Sequence, residues 1–337
     1  MPETPKVAVI GIGHVGGRRT ENYIDLMGPS SVVICDTNKD NLATLYQDNP
    51  YIKTYPNHVS LLEEEKNLQL VHVSVPATQQ AKVVLDCLYA GNNVVVEKPF
   101  TASYDEALSC VKLANDMKKF IGVLFSERLN PPIEKFKTYL QKGNIPSWNT
   151  AKYFREERLG AGREAMDVEV TRDLGSHSLD MPYFLTGERP KVDFAGIRKS
   201  DNSLVEIPVT VKGVLGTIYV GWEMKFRRRT FSLTFPHVEY IVKYASQELY
   251  RIKPQEDDGS KKPGRRTYAD VVGLSVEIDQ RIGAWQGDEH EPFSLEQKRI
   301  IESARAGKLL PPLCDGEQAL PTVKLIDEIE AVAYQKK

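Results

Sequence analysis

Three glycines at a fixed spacing behind a short apolar run constrain this chain more than any other feature. Residues 7–17 read Val-Ala-Val-Ile-Gly-Ile-Gly-His-Val-Gly-Gly. Four apolar residues bounded by glycine fit a buried strand. Gly11, Gly13 and Gly16 then fall in the pattern G-x-G-x-x-G. There the first glycine permits the tight turn out of the strand, the second lets backbone approach a pyrophosphate, and the third lets the next helix pack on the strand. The helix expected from about Val15 to Met27 would aim its unpaired N–H groups and positive dipole end at the phosphates. A second apolar run, Val32 to Cys35, ends in Asp36, twenty residues after Gly16. An acid there accepts hydrogen bonds from the adenosine ribose and repels a 2′-phosphate, so the expected cofactor is NAD rather than NADP. The alternative is a glycine turn in an unrelated α/β protein with Asp36 as a loop acid; strand, turn, helix and acid together disfavour it. Gly11, Ile12, Gly13, His14, Val15, Gly16 and Asp36 are therefore the first candidates for cofactor contacts.

The 337 residues suffice for two domains. Up to Phe125, strand and helix signals alternate as in a parallel doubly wound sheet. A helix to about Asp48 is capped by Asn38 or Asp40, and a short one over Val59–Glu65 is capped by Asn57. Strands are expected at Leu70–Val75, where His72 reads as a packed or edge histidine rather than a ligand, and at Asn93–Glu97 and Phe120–Phe125. Helices are expected at Thr78–Ala90, stopped by Gly91, and at Tyr104–Lys118. Beyond residue 126 the character changes. A helix at Pro132–Lys142, a strand at Asn149–Glu156 and a charged loop at Arg158–Val170 precede a helix from about Asp173 to Leu185. Pro182 should kink that helix or end it early. Consecutive strands fill Lys191–Lys253, a polar loop follows at Pro254–Arg266, and helices return at Tyr268–Arg281, Ser294–Ala306 and Glu317–Tyr334. The expected fold is a Rossmann dinucleotide-binding domain over 1–125 and an α+β substrate and oligomerisation domain over 126–337. The second domain has a largely antiparallel, open-faced sheet. Val209, Val211, Val214, Ile218, Val220 and Trp222 read as an apolar face needing cover, which predicts a homodimer or homotetramer through that sheet.

A net charge of −2 gives no reason to expect a nucleic-acid or membrane partner. No apolar run approaches a membrane span, and the N-terminus lacks the order of a signal peptide, so a cytoplasmic location is expected. The four cysteines, Cys35, Cys87, Cys110 and Cys314, show no C-x-x-C spacing, and the six histidines form no H-x-x-x-H pair. No metal site is expected.

Two clusters carry candidate chemistry. Glu97-Lys98-Pro99 stands at the C-terminal end of a strand, where doubly wound sheets bind ligands; a surface lysine is the plain alternative. In Arg172-Asp173-Leu174-Gly175-Ser176-His177-Ser178-Leu179-Asp180, a helix would put Asp173 and His177 on one face. A carboxylate can then orient an imidazole that acts as general base. Asp173 as a helix-terminal acid with a surface His177 is the competing possibility, and Asp180 either extends the face or is solvated.

These pieces together resemble the glucose–fructose oxidoreductase / inositol dehydrogenase / rhizopine catabolism (Gfo/Idh/MocA) family. The match runs in family order through Val9–Gly16, Val73-Ser74-Val75-Pro76, Ala90–Pro99 and Asp173–Asp180, then Leu185–Glu188, Gly221-Trp222 and Asp315-Gly316-Glu317. The resemblance implies a dehydrogenase that moves hydride between a secondary hydroxyl of a sugar or cyclitol and a nicotinamide. Lys98, Asp173 and His177 would be catalytic: Lys98 stabilising the alkoxide, His177 taking the proton, Asp173 holding the ring, with either Lys98 or His177 the formal base. It also implies cofactor contacts from Ser74, Val75, Pro76, Gln80, Glu97 and Lys98. The family often has a histidine after the strand proline; here the sequence is Ala77-Thr78-Gln79-Gln80. Ser126–Pro131 looks like a stretch found in a subgroup acting on nucleotide-activated amino sugars, including UDP-N-acetylglucosamine 3-dehydrogenases. Arg128, Asn130, Arg155, Arg158 and Arg163 would then join Lys98, Asp173 and His177 in holding the substrate, since arginine forks bind diphosphates bidentately; alternatively the loop arginines balance Glu156, Glu157 and Glu164. An inositol or aldose dehydrogenase of the same family, and a non-catalytic NAD-binding sensor, remain the other readings.

Overall fold

The computed structural model describes residues 5–46, 51–160, 167–200, 204–222, 224, 227–252, 280–285 and 290–334. The first half runs β1 (Val7–Ile10), α1 (His14–Met27), β2 (Val32–Cys35), α2 (Lys39–Tyr46), β3 (Lys53–Tyr55), α3 (His58–Glu64), β4 (Leu70–Val73), α4 (Ala77–Tyr89), β5 (Val94–Glu97), α5 (Tyr104–Asp116) and β6 (Ile121–Leu124). Next come α6 (Pro131–Lys142), β7 (Tyr153–Leu159), α7 (Val170–Asp173), α8 (Gly175–Thr186), β8 (Lys191–Val192), β9 (Arg198–Lys199), β10 (Val205–Val211) and β11 (Val214–Gly221). The rest is β12 (Arg228–Thr234), β13 (Glu239–Lys243), β14 (Glu248–Ile252), β15 (Gln280–Ala284), α9 (Pro292–Ala306), β16 (Cys314–Asp315) and α10 (Gly316–Ala333).

The first sheet has the order β16-β6-β5-β4-β1-β2-β3. Its strands β1 to β6 pair in parallel, and alternate side chains feed two cores. Ala8, Ile10, Val71, Val73, Val94 and Val96 enter one, while Val7, Val9, Leu70 and Val95 enter the other. That two-sided burial explains why these strands are continuously apolar. The order reverses between β1 and β4, which opens the crevice where such sheets bind nucleotides.

The second sheet runs β15-β14-β13-β12-β7-β11-β10-β8, with β9 also on β10. It is antiparallel apart from the β7–β11 pair. One face packs on α6, α8 and the end of α10 through Ile133, Phe136, Leu179, Phe184, Ile326 and Ile329. Val209, Val211, Val214, Ile218 and Val220 lie on this covered face. The apolar surface expected to need a partner subunit is thus satisfied within the chain. The open face instead carries a polar network, with Glu157 accepting from Arg228 at 3.2 Å and Thr230 at 3.1 Å.

The boundary expected at residue 125/126 is crossed by the chain's end. Cys314–Asp315 pairs antiparallel with β6. Ile300 and Ile301 of α9 cover one face of the first sheet, and Ala319 and Val323 of α10 cover the other. The helix expected at Tyr268–Arg281 lies outside the described residues up to 279, and its last two positions are strand.

Candidate active site

The glycine loop separates what the protein needs from what a ligand needs. Gly11 has φ +85°, and a Cβ there would lie 2.5 Å from the Ser74 carbonyl oxygen. A Cβ on Gly16 would lie 1.8 Å from the Gly11 carbonyl oxygen. Both glycines are demanded by the fold. Gly13 has φ −62°, and a Cβ there would meet nothing within 4 Å. Its glycine is unexplained by the chain's own packing and fits the close approach of a pyrophosphate. No side chain caps α1, so its first N–H groups stand ready for an anion. His14 and Val15 are exposed at that end, whereas Ile12 is buried.

Asp36 does more than its sequence position indicates. Its Oδ2 accepts from the Ile12 N–H at 2.8 Å and from Asn41 at 3.1 Å, and its Oδ1 accepts from the Asn38 N–H at 2.7 Å. It fastens the glycine loop to the end of β2 while keeping negative charge there. Across the crevice, the Ser74 N–H donates to the Ile10 carbonyl at 2.8 Å. Val75 is partly buried, and Pro76 is exposed at the start of α4. Gln80 is buried and donates to the Val75 carbonyl at 3.1 Å, so it braces the turn. The Thr78 N–H and hydroxyl both donate to Asp167, at 3.0 and 2.9 Å, bringing the second unit to the N-terminus of α4.

Glu97 turns inward. Its Oε1 accepts from Arg19 at 2.7 Å and lies 3.3 Å from His72 Nε2. Burial pushes its pKa up, but Arg19 and His72 outweigh that and hold it down at about 2. His72 is fully buried beside Tyr23, as expected of a packed histidine. Lys98, 15% exposed at its side chain, forms an ion pair with Asp173 Oδ1 and donates to the Asp173 carbonyl at 3.2 Å. The Lys98–Pro99 peptide is cis. Asp173 is fully buried, and its Oδ2 accepts from Trp222 Nε1 at 3.2 Å. The lysine at the end of β5 and the acid of α7 therefore meet across the two units.

The helix bearing these residues differs from expectation. It begins at Val170 and is interrupted at Leu174, so Asp173 ends α7 and His177 sits in the first turn of α8. Pro182 lies inside α8, which runs on to Thr186 and stops at Gly187 in the left-handed region. The His177 ring packs edge-on to Phe125, with 5.8 Å between centroids.

The expected substrate arginines part company. Arg128 is buried; its fork grips Asp180 at 2.7 and 2.6 Å and reaches Gln318 at 3.2 Å. Its charge is spent joining the units, and Asp180 is buried rather than solvated. Asn130 is buried too, donating to Glu127 at 2.6 Å. Arg155 points to the open face, paired with Glu157 at 2.7 Å and lying over Tyr219. Arg163 lies outside the described residues. Arg158 points to the covered face, between Glu127 at 3.1 Å and Glu156 at 3.2 Å. It lines a cleft with Leu174, Trp222, Arg227 and Arg229. Arg227 and Arg229 were not singled out from the sequence. The run Arg227-Arg228-Arg229 was visible there, but only the β12 register shows which of them reach this wall.

All four cysteines are buried and free. Burial pushes the Cys35 and Cys110 thiols up to about 12 and the other two higher still, so none of them is a thiolate nucleophile at neutral pH.

Residues 5–125 match the Gfo/Idh/MocA model described as "Oxidoreductase family, NAD-binding Rossmann fold". The match takes in β1 to β6 and ends before the second sheet begins. Among relatives, the UDP-N-acetylglucosamine 3-dehydrogenase of Acidithiobacillus ferrooxidans is 26% identical over 186 residues. That match spans 55% of each protein. Its solved structure superposes with a TM-score of 0.75 at 18% identity, covering 98% of both chains. The scyllo-inositol 2-dehydrogenase (NADP(+)) of Bacillus subtilis is 23% identical, covering 99% of this chain and 95% of its own. A levoglucosan dehydrogenase complexed with NADH and levoglucosan gives a TM-score of 0.76 at 17% identity, covering 98% of both. At these identities the structural likeness establishes the shared fold. Among the described residues no helix is long and apolar enough to cross a membrane.

Proposed function

We propose that this chain is an NAD-dependent dehydrogenase that oxidises a secondary hydroxyl of a sugar, or reduces the corresponding ketone, with a UDP-N-acetyl amino sugar as its preferred substrate. The observation that carries the proposal is the ion pair of Lys98 with the buried Asp173 beside the nucleotide crevice. The open space above Gly13 and the acid Asp36 support NAD as the cofactor, which when bound supplies the hydride acceptor. Lys98 holds the reacting oxygen and stabilises alkoxide charge as it develops. Asp173, itself anchored by Trp222, keeps the ammonium in position. His177 takes the hydroxyl proton. The residues up to 125, with α9, β16 and α10 packed on them, hold the nucleotide, and the second sheet carries the sugar. Self-association through the open face of that sheet is supported by Leu215, an exposed apolar residue beside Tyr219 and Thr217.

The test is an absorbance assay for NADH with NAD or NADP against UDP-N-acetylglucosamine, free aldoses and inositols. Turnover with NAD and the nucleotide sugar is expected. Tight NADH binding without turnover of any of these compounds would instead make the protein a sensor.

A further inference from the structure

Arg158, Arg227, Arg229, Leu174 and Trp222 line one small, partly open cleft. It adjoins the reacting centre, because the Trp222 indole N–H donates to Asp173. Arg158 is only 2% exposed. Its Nε and Nη1 are used by Glu156 and Glu127, but its buried Nη2 has no hydrogen-bond partner among the described residues. A buried cationic donor left unpaired lowers stability, so the fold retains it against its own interest. Arg227 stands exposed at the edge of the same cleft. Arg229, opposite Arg158 in the β12–β7 register, reaches the same wall. Burial pushes the Glu156 carboxyl up to about 8 despite Arg158 and Tyr244, and Glu127 lies 3.1 Å from the same guanidinium.

We propose that this cleft seats an oxyanion carried by the substrate, a phosphate of a sugar nucleotide or the carboxylate of a sugar acid, and that the enzyme thereby selects charged sugars over neutral sugars and polyols. The inference rests on the sugar-dehydrogenase function proposed above. Planar guanidinium forks suit either oxyanion. The arginines act here as a unit, with Arg158 fixed at the base and Arg227 at the mouth.

Calorimetric titration of the full-length protein in the presence of NADH tests it, with UDP-N-acetylglucosamine, D-glucuronate and uncharged N-acetylglucosamine as probes. At least one charged probe should bind ~10-fold or more tighter than the uncharged one, and weaken as salt rises. Which charged probe binds tells phosphate from carboxylate. Arg227→Gln, at an exposed position, should weaken the charged probe ~10-fold while NADH affinity holds; Arg229→Gln is the second variant. Charged probes binding no tighter than N-acetylglucosamine, or unchanged affinity in both variants, would overturn the inference. Turnover separates the two proposals. Neutral sugars turned over as well as charged ones would end the anion site and leave the dehydrogenase. Arginine-dependent anion binding with no turnover of any sugar would do the reverse.

Discussion

Arg19 and Glu296 face each other at 2.5 Å with neither side chain exposed, tying α1 to α9. The same guanidinium holds Glu97 at 2.7 Å, one residue before Lys98. Removing the cation would strip two buried carboxyl groups of their shared guanidinium, leaving Glu97 with His72. Arg19→Met should therefore lower stability by about 3–5 kcal/mol, the scale for breaking a buried pair from one side. Urea unfolding followed by circular dichroism would measure it, and a loss below about 1 kcal/mol would mean that water or rearrangement replaces the arginine.

The glycine loop predicts a dissociation between two variants that look alike on paper. Gly16→Ala drives a methyl into the Gly11 carbonyl and should destabilise the fold. Gly13→Ala meets no protein atom, so its melting temperature should stay near that of the parent while NADH affinity falls. Fluorescence titration with NADH beside thermal melts separates the two; equal loss of stability in both would refute the assignment of Gly13 to the ligand.

On the function proposed above, Trp222 is a positioning residue that acts through Asp173. Trp222→Phe keeps the ring and removes the N–H bond of 3.2 Å. Hydrogen bonds to charged groups support a fall in kcat of about ten- to hundredfold. NADH affinity should not move, since the change is confined to the positioning of the carboxylate that holds Lys98. A variant with parental kcat would show that Lys98 holds Asp173 in place unaided.

Glu156 makes stability pH-dependent. Its pKa is raised from 4.5 to about 8 by burial, so between those values the folded state keeps a proton that the unfolded state releases. Its contribution is complete below about pH 4.5 and drains away as pH rises through about 8. Glu156→Gln should flatten the decline in melting temperature across that window. An unchanged pH profile would place the titration elsewhere.

Much of the nucleotide half was legible because its signals are local. The strand and glycines of residues 7–16, the Asn57 cap that accepts from the Ser60 N–H at 2.9 Å, and the left-handed stops at Gly143 and Gly187 each involve residues close in sequence. β3 escaped notice because Lys53 and Thr54 are exposed and carry no apolar alternation. The pairing of Cys314–Asp315 with β6 links positions far apart in the chain, which no periodicity encodes. In the site, Lys98 and Asp173 were recognisable by motif, but their ion pair, the break at Leu174 and the inward turn of Arg128 onto Asp180 depend on tertiary packing. The apolar stretch around Val209–Val220 was read correctly as one face; which side of the sheet the helices cover is not written in those residues.

The return of the chain end to β6 has a mechanical consequence. The backbone passes from the first sheet to the second after β6, comes back before α9, and crosses again along α10, whose Val323 packs on one sheet and whose Ile326 and Ile329 pack on the other. A single tether would let the halves swivel. Three crossings hold the ammonium of β5 against the carboxylate of α7.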